Sequence, residues 1–507
     1  MQPQPETFTH REILTVLSGV VLCMFMAALD QTIVATALPT IASNFGRLEG
    51  LSWVVTAYLL TSTATAPLFG KMSDLYGRKR PMQAAVAIFV VGSVFCGSAQ
   101  SMTQLVLFRG LQGIGGGGLM VLAFTVIADV VAPRERGRYQ GYIAGVFAVS
   151  SVTGPVLGGF LAEYLSWRLI FLINVPIGLA AYAMISRALA RLAKRRQGLE
   201  IDYPGAALMV GAIVCLLLAL TWGGRAYAWT SPVILGLVGT AVVLLVLLVL
   251  QELRASEPIL PPRLFRSPIV AVCSLGATLG AAVMFVGIVF MPLHLQLVRE
   301  VGAGRSGLFM LPLMMGVVVG GTTSGRLVTR TGRYKPWPLL GMILAGGGYA
   351  TLALAESLGE LPYLFVLGVI GVGAGTVMPV TMIVVQNVVE RRDLGAATSA
   401  VGFFRSLGAS LGIALFGTIL ASGAERGLRT DMAAAAGLDL GSVIDQGPEA
   451  IRMLPAAARD AVVAAFGASF DGLFLAAAGM AALTFVVILF LKEVRLRSAH
   501  DAPGAAG

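Results

Sequence analysis

Two long apolar runs of the chain are joined by the stretch Gly70-Lys-Met-Ser-Asp74-Leu-Tyr-Gly77-Arg78-Lys79-Arg80. The stretch contains four basic residues and a single acid, and Gly77 permits a tight turn. Asp74 and Arg78 are four residues apart, which is the spacing at which side chains on a helix meet. Basic residues that only fix the topology would explain Lys79 and Arg80, but not the acid among them. We therefore expect a charged turn in which Asp74 and Arg78 interact.

The composition of the whole chain is that of a membrane protein. Of its 507 residues 57% are hydrophobic and 12% are charged, with a mean hydropathy of +0.84, whereas a soluble globular protein has a charged fraction of about 25%. The 62 glycines follow no collagen-like period and fit closely packed membrane helices. These figures exclude an ordinary soluble domain, a collagen and a disordered chain.

Fourteen apolar runs are long enough to cross a bilayer, which takes about 20 residues. Each contains either no charge or a single charge that needs a reason. The sequence therefore predicts an all-α membrane protein with spans near residues 13–38, 51–69, 82–99, 104–127, 140–161, 168–186, 203–222, 231–250, 268–297, 306–325, 336–354, 361–386, 398–421 and 472–491.

The distribution of basic residues orients these spans. The net charge of +10 would suggest a nucleic-acid partner in a soluble protein, but in a membrane protein it should lie on one side. When the amino terminus is placed inside, the inner segments contain 25 of the 36 Lys and Arg residues. The positive-inside rule thus predicts a multi-pass protein of the cell inner (cytoplasmic) membrane with both termini in the cytoplasm, and no nucleic acid as partner.

The chain also repeats itself. A shift of 258 residues places Gly113-Ile-Gly115 on Gly371-Val-Gly373, and a shift of 255 residues places Gly77 on Gly332. Two similar halves with a site between them are the architecture of secondary transporters. We predict an amino-terminal six-helix bundle (1–190), two linker helices with their loops (191–266), a carboxyl-terminal six-helix bundle (267–497) with a long outer loop (422–471), and a cytoplasmic tail (498–507).

Several ordered motifs resemble those of the major facilitator superfamily, in particular its drug:proton antiporter subfamily with fourteen spans. The 70–80 stretch is similar to the superfamily's loop signature, and Leu29–Pro39, Arg109–Gly113 and Gly154–Gly159 are similar to the subfamily's motifs in the first, fourth and fifth spans. Two positions depart from the usual residues, which are asparagine and glycine: Ala35 and Ser150. The resemblance implies the major facilitator fold of two six-helix bundles, with two inserted central helices.

Asp30 lies within the first span, where an ionised carboxylate must pair, face a cavity or take up a proton. One interpretation is a carboxylate that caps a helix break near Pro39. The other is a group that alternately binds a proton and binds or repels substrate. Arg109, in the fourth span, is the expected counter-charge, although an arginine can also hold helices together through backbone carbonyls. The resemblance implies a role for both residues in proton coupling and substrate recognition.

Asp129, at the inner end of the fourth span, is a candidate partner for Arg78. The family pattern implies that Gly70, Asp74, Gly77, Arg78 and Asp129 form a cytoplasmic gating latch, which stabilises the outward-facing state and breaks as the halves rock. The second copy has Thr329 in place of Asp74.

The antiporter motif of the fifth span comprises Gly154, Pro155, Gly158 and Gly159. The proline removes one backbone donor, and the glycines let a neighbouring helix approach closely. A role in limiting leakage and simple helix packing both fit this pattern.

Other polar and aromatic residues are candidates for lining a substrate cavity. Trp53 is also interpreted as an anchor at the membrane interface, His294 as a cavity or interface residue rather than a metal ligand, and Arg405 has no partner that the sequence identifies. The three histidines are scattered and the four cysteines lie in apolar runs, so we expect no metal site and no cofactor beyond a proton gradient. The candidates for the cavity are Gln31, Trp53, Tyr58, Gln112, Asn174, His294 and Gln296.

Rival functions fit the sequence less well. The glycines at 113–118 spell a dinucleotide pattern but lie inside a span, no Walker lysine pattern occurs, and clustered intramembrane His, Cys or carboxylates that would serve an enzyme are missing. One acid and one arginine on non-equivalent helices do not make a channel filter.

The sequence predicts a proton-coupled exporter of amphipathic small molecules, embedded in lipid and working by alternating access. A narrow-specificity metabolite transporter of the same fold is the alternative, and a periplasmic adaptor is left open.

Overall fold

The computed structural model describes residues 10–45, 51–131, 136–189, 202–224, 227–256, 258–355, 358–390, 393–430 and 456–494. Within these ranges the chain is almost entirely helical, and its β-structure is limited to one isolated bridge between Gly223 and Tyr227. The first seven helices are α1 (His10–Phe45), α2 (Leu51–Tyr76), α3 (Lys79–Ser98), α4 (Met102–Val130), α5 (Arg136–Tyr164), α6 (Leu169–Leu172) and α7 (Asn174–Ala188).

Two long helices, α8 (Tyr203–Trp222) and α9 (Pro232–Arg254), follow. The rest of the chain forms α10 (Pro262–Phe265), α11 (Pro268–Phe285), a π-helical segment (Val286–Phe290), α12 (Met291–Leu297), α13 (Ala303–Phe309), α14 (Leu311–Thr331), α15 (Pro336–Leu354), α16 (Glu360–Gly375), α17 (Val377–Val388), α18 (Leu394–Thr430) and α19 (Ala456–Leu489).

In the part of the chain that the structure describes, 12 helices are long and apolar enough to cross a membrane. The other two predicted spans, 51–69 and 140–161, correspond to α2 and α5, which have the length but are not among these 12. α2 contains several Thr and Ser side chains. The count of fourteen therefore stays a prediction.

Prolines follow the breaks in three of the four predicted spans that are not continuous α-helices. A proline has no N–H for the carbonyl four residues before it. Pro176 thus frees the carbonyl of the last residue of α6, Pro379 frees that of the last residue of α16, and Pro292 frees one inside the π-helical segment. Each break lies one turn before its proline.

Helices extend into both ends of the predicted outer loop 422–471. α18 continues to Thr430 and α19 already begins at Ala456, so the connection between them comprises residues 431–455, which lie outside the described residues. Residues 456–466 form the first part of α19. Alanine-rich composition made these helix ends resemble a loop, because they are less apolar than the spans that they extend.

The two copies of the repeat pack alike. α2 and α3 pack on α4 as α14 and α15 pack on α16, and α1 packs on α5 as α11 packs on α18. Gly77 and Gly332 both adopt positive φ angles, of 79° and 71°, at the turn that follows the second helix of each copy. A side chain at either position would be strained, which explains why glycine is kept in both.

The glycine run of α4 lets this helix touch two neighbours at once. A Cβ atom at Gly115 would lie 2.5 Å from the backbone nitrogen of Phe89 on α3, and one at Gly117 would lie 2.1 Å from the carbonyl oxygen of Ser62 on α2. The run is therefore a packing face, as predicted, and it brings the backbones of α2, α3 and α4 together around the polar groups that they carry.

The inserted helices α8 and α9 pack against each other, and α8 also contacts α2 and α18. The carboxylate of Asp202 accepts a hydrogen bond from the Gly205 N–H (3.0 Å) and caps α8. Most of the large apolar side chains of α9 are exposed, as expected for a helix that faces lipid.

Replacing Gly117 by alanine should destabilise the protein by about 1–3 kcal/mol, because the new methyl group has no space against α2. The matched control is Gly347→Ala in α15, where a Cβ atom would meet nothing within 4 Å. The midpoint of thermal denaturation of the detergent-solubilised protein measures both effects. An equal midpoint for the two variants would contradict the close packing of α2 on α4.

Candidate functional site

A buried ion pair joins α1 and α4. The Nη1 atom of Arg109 donates to the Oδ2 atom of Asp30 at 2.6 Å, and the two side chains are 1% and 0% exposed. α1 runs without a break from His10 to Phe45, so Asp30 does not cap a helix break near Pro39. Asp30 and Arg109 are thus placed together, as the sequence predicted, while their role in coupling stays a prediction.

Three neutral side chains complete the surroundings of Asp30. The amides of Gln112 and Asn174 donate to its Oδ1 atom at 2.8 and 3.0 Å, and both also donate to the Ser93 hydroxyl. Asn174 reaches Asp30 because it is the first residue of α7, directly after the break caused by Pro176. We call these five residues the Asp30 cluster: Asp30, Ser93, Arg109, Gln112 and Asn174.

The guanidinium of Arg109 has further contacts on its other sides. Its Nε atom donates to the carbonyl of Val54 (3.1 Å), and its Cζ atom lies 4.4 Å from the centroid of the Tyr58 ring. Arg109 therefore does bind a backbone carbonyl, as in the structural interpretation, and pairs with Asp30 as well. Tyr58 is 1% exposed and packs against Gly116.

The charge of the Asp30 cluster is balanced only while the carboxyl group is ionised. Arg109 stays protonated in proteins, so a proton on Asp30 would leave a buried cation without its partner. An uncompensated charge in a medium of low dielectric constant is costly, and the structure would have to move or admit an anion.

A second charged group forms at the 70–80 turn. The Arg78 guanidinium donates to Asp74 (2.6 Å), Asp129 (2.5 Å) and the Ser73 hydroxyl (2.8 Å). The predicted contacts of Arg78 with Asp74 and Asp129 are therefore present. Positive φ at Gly77 allows the chain to turn back so that Arg78 faces the end of α4.

Asp74, in the first copy of the repeat, also forms hydrogen bonds with the second copy. Its two carboxylate oxygens accept hydrogen bonds from the backbone N–H groups of Gly395 and Ala396, both at 2.9 Å. These N–H groups lie in the first turn of α18, where helix donors have no partner of their own and where a negative charge is favourable. Gly70 packs directly on this turn, since a Cβ atom there would lie 2.7 Å from the Gly395 carbonyl.

The residues of the antiporter motif in α5 differ in how closely they pack against neighbouring helices. A Cβ atom at Gly154 would lie 2.0 Å from the Thr32 hydroxyl on α1, and this hydroxyl donates to the Ser150 carbonyl at 2.9 Å. Gly158 is buried, but at Gly159 a Cβ atom would meet nothing within 4 Å. The expected close approach therefore occurs at Gly154 and not at Gly159. The side chain of Pro155 lies outside the described residues.

The predicted cavity residues lie in different places. Gln112, Asn174 and Tyr58 surround the ion pair, and Gln31 is exposed. Trp53 packs edge-on against Trp222 of α8, with ring centroids 5.7 Å apart.

His294 does not line an open cavity with Gln296. It is 8% exposed, its Nδ1 atom lies 2.9 Å from the Tyr363 hydroxyl, and Phe470 and Phe474 enclose its ring, whereas Gln296 donates to Ser306. These partners lie far apart in the chain, so the sequence could not reveal them. The described residues contain no group of three or more His, Cys, Asp or Glu that could hold a metal ion.

Sequence reasoning missed Ser93, Gly395 and Ala396. Ser93 had a signal, since its hydroxyl lies in the middle of an apolar span, but serine is common in membrane helices and the signal was weak. Gly395 and Ala396 act through backbone N–H groups, which every residue except proline has, and only tertiary structure reveals them.

Arg109→Gln should destabilise the protein by about 3–5 kcal/mol, because it leaves the Asp30 carboxylate buried without its counter-charge. Asp30→Asn combined with Arg109→Gln should cost less than the sum of the two single variants. Thermal denaturation in detergent measures this double-mutant cycle. Strictly additive effects would show that the two side chains do not interact.

Asp74→Asn should weaken the contact between the copies and raise the population in which they separate at the 70–80 turn. After the four native cysteines are replaced, spin labels are attached at two exposed sites of this face, Arg80→Cys and Arg330→Cys. Electron paramagnetic resonance then measures the distance between the two labels. Thr329→Val, at the equivalent position of the second copy, is the control, because Thr329 only donates within its own helix. Unchanged distances in Asp74→Asn would exclude a latch.

The sequence matches the family model of the Major Facilitator Superfamily over residues 20–413. An uncharacterized MFS-type transporter of Mycobacterium tuberculosis is 40% identical over 96% of this chain and 70% of its own length. Two Bacillus subtilis proteins, the multidrug transporter protein MdtP and multidrug resistance protein 3, are 35% and 33% identical over 95% and 98% of this chain, and over 93% and 99% of their own lengths.

Solved structures share the fold at low sequence identity. The human organic anion transporter MFSD10 is 14% identical with a TM-score of 0.63, covering 94% of this chain and 99% of its own. The proton:xylose symporter XylE is also 14% identical, with a TM-score of 0.61, covering 96% of this chain and 98% of its own. Together with the family match, this shows that the chain belongs to the major facilitator superfamily and has its all-helical transporter fold.

Proposed function

We propose that this chain is a proton-coupled exporter of amphipathic small molecules that works by alternating access. The observation that carries the proposal is the Asp30 cluster, in which a fully buried carboxylate is bound by Arg109, Gln112 and Asn174. A carboxyl group in this position can take up a proton from one side and release it to the other when its surroundings change.

The names of the relatives support export of several compounds. MdtP and multidrug resistance protein 3 are named for multidrug transport, and both align over almost the whole chain. A narrow-specificity metabolite transporter of the same fold remains the alternative, because the relatives' substrates do not fix those of this chain.

The 70–80 turn supports the alternating-access part of the proposal. The hydrogen bonds from Gly395 and Ala396 to Asp74 tie the copies together at this face, and the amide of Gln386 adds a bond to the Phe124 carbonyl at 3.4 Å. We assign this face to the cytoplasm of the cell inner membrane, because the basic residues are concentrated there. The state with these contacts is then closed towards the cytoplasm.

The proposed cycle follows from these two groups. In the closed state Asp30 is ionised and paired with Arg109. When substrate has left and a proton binds Asp30, the pair weakens and the α1–α4 contact relaxes, which favours separation of the copies at the 70–80 turn. Each elementary charge that crosses the membrane supplies about 2.3 kcal/mol per 100 mV to drive this change. The proton gradient is the energy source, and no cofactor takes part.

Asp30→Asn should abolish gradient-driven export, because asparagine can keep hydrogen bonds but cannot carry a proton, and its melting temperature is measured alongside because Arg109 loses its counter-charge. Proteoliposomes with an imposed pH gradient and a panel of amphipathic compounds measure the effect. Asp460→Asn, at an exposed position of α19, is the matched control.

The same assay separates the alternatives. A transport rate that does not depend on the imposed pH gradient would refute the antiport mechanism. Transport of a single compound from the panel would favour the narrow-specificity alternative, and undiminished coupling in Asp30→Asn would remove Asp30 from the mechanism.

A further inference from the structure

We propose that Asn174 accepts the hydrogen bond of the Asp30 carboxyl group when this group takes up a proton, and that the amide of Asn174 makes a half turn to do so. The inference rests on the proposed function and adds a positioning residue to it. It starts from a single atom. Asn174 is 0% exposed, and its Oδ1 atom has no hydrogen-bond partner among the residues that the structure describes.

The ionised carboxylate of Asp30 has donors on both of its oxygens. Arg109 donates to Oδ2 at 2.6 Å, and Gln112 and Asn174 donate to Oδ1 at 2.8 and 3.0 Å. A proton added to either oxygen would therefore point at N–H groups. A buried O–H group without an acceptor is costly, so proton uptake requires that one of these donors be replaced by an acceptor.

The other polar groups of the Asp30 cluster are already committed. The Oε1 atom of Gln112 accepts from the Arg109 guanidinium at 2.6 Å, so a turned Gln112 amide would set two donors against each other. The Ser93 hydroxyl donates to a backbone carbonyl of α3 at 2.8 Å and accepts from both amides. Within the cluster, the Oδ1 atom of Asn174 is thus the acceptor that is not in use.

A half turn of the Asn174 amide removes the conflict. Its oxygen then takes the place of its nitrogen, 3.0 Å from the Oδ1 atom of Asp30, and accepts the new O–H group. Oδ1 still accepts from Gln112, and Oδ2 keeps the bond from Arg109. The bond that is given up is the long one from Asn174 to Ser93, at 3.4 Å. Every polar atom of the protonated carboxyl group then has a partner.

The titratable and charged groups that face Asp30 are Tyr58 on α2, Cys96 on α3 and Arg109 on α4. α6 has no titratable residue, and α5 has none between residues 143 and 162. The Tyr58 hydroxyl also lacks a partner, but it is not hydrogen-bonded to Asp30. Arg109 stays protonated. The neutral Asn174 is therefore the neighbour that can exchange a donor for an acceptor.

The position of Asn174 gives the turn a consequence beyond the ion pair. Asn174 is the first residue of α7, and this helix packs on α1 and α3. After the turn its N–H groups point to the place where Oδ1 now lies without a partner. Buried donors without acceptors favour any movement that satisfies them. Proton uptake by Asp30 would thus favour a shift of α7.

Difference infrared spectra of the full chain in nanodiscs, taken between high and low pH without a gradient, test the inference. The C=O band that is missing in Asp30→Asn belongs to protonated Asp30, and its wavenumber is lower when the O–H group donates a hydrogen bond. We expect this band to move to a higher wavenumber in Asn174→Leu, because leucine is similar in size but cannot accept. Asn44→Leu, at an exposed position of α1, is the control and should leave the band unchanged.

An unchanged band in Asn174→Leu would overturn the inference. If that variant does not fold, solid-state NMR of the wild-type chain replaces it, since the chain has only three asparagines, Asn44, Asn174 and Asn387. A side-chain nitrogen resonance of Asn174 that stays constant while the Asp30 band appears has the same meaning. The absence of an Asp30 band at any pH would instead refute proton uptake by this residue, and with it the proposed function.

Discussion

A charged group in the hydrocarbon of a bilayer must find an opposite charge, and this constraint governs the polar parts of the structure. Asp30 and Arg109 satisfy it for each other at 2.6 Å, and the amides of Gln112 and Asn174 occupy the remaining carboxylate oxygen. The helices must come close enough for these contacts, which is why α4 carries glycines where it meets α2 and α3. The ion pair therefore depends on the close packing of the helices, and loss of either one disturbs the other.

The same constraint connects the ion pair to the 70–80 turn. Asp30 and Asp129 each pair with an arginine on another element, and Asp74, which also pairs with Arg78, adds the first turn of α18 to this network. α4 contributes to both groups, with Arg109 near one end and Asp129 at the other. In the proposed mechanism, α4 is the helix through which a change of protonation at Asp30 reaches the face where the two copies meet.

The spans, the equivalent turns and the charged residues within the spans could be predicted from the sequence, because each is marked by a local sequence pattern. Apolar runs located the spans, the glycines at 77 and 332 located equivalent turns, and the rarity of charge within spans singled out Asp30, Arg109 and Arg405. The partner of Arg78 was predictable because Asp129 is the acid at the end of a span on the same side. The helix ends within the outer loop 422–471 were not predictable because their composition is ambiguous, and the aromatic surroundings of His294 were not predictable because they come from distant helices.

The sequence by itself determined that this is a helical membrane protein built from two similar copies, because hydropathy, repeat spacing and charge placement depend only on the order of residues. Tertiary structure alone decided which groups meet across the fold. The bond of Asp74 to the Gly395 and Ala396 N–H groups involves backbone atoms that no residue type reveals. The surroundings of Arg405 likewise depend on which helices pack around it. Contacts between residues hundreds of positions apart are set by packing, and packing is a property of the folded chain.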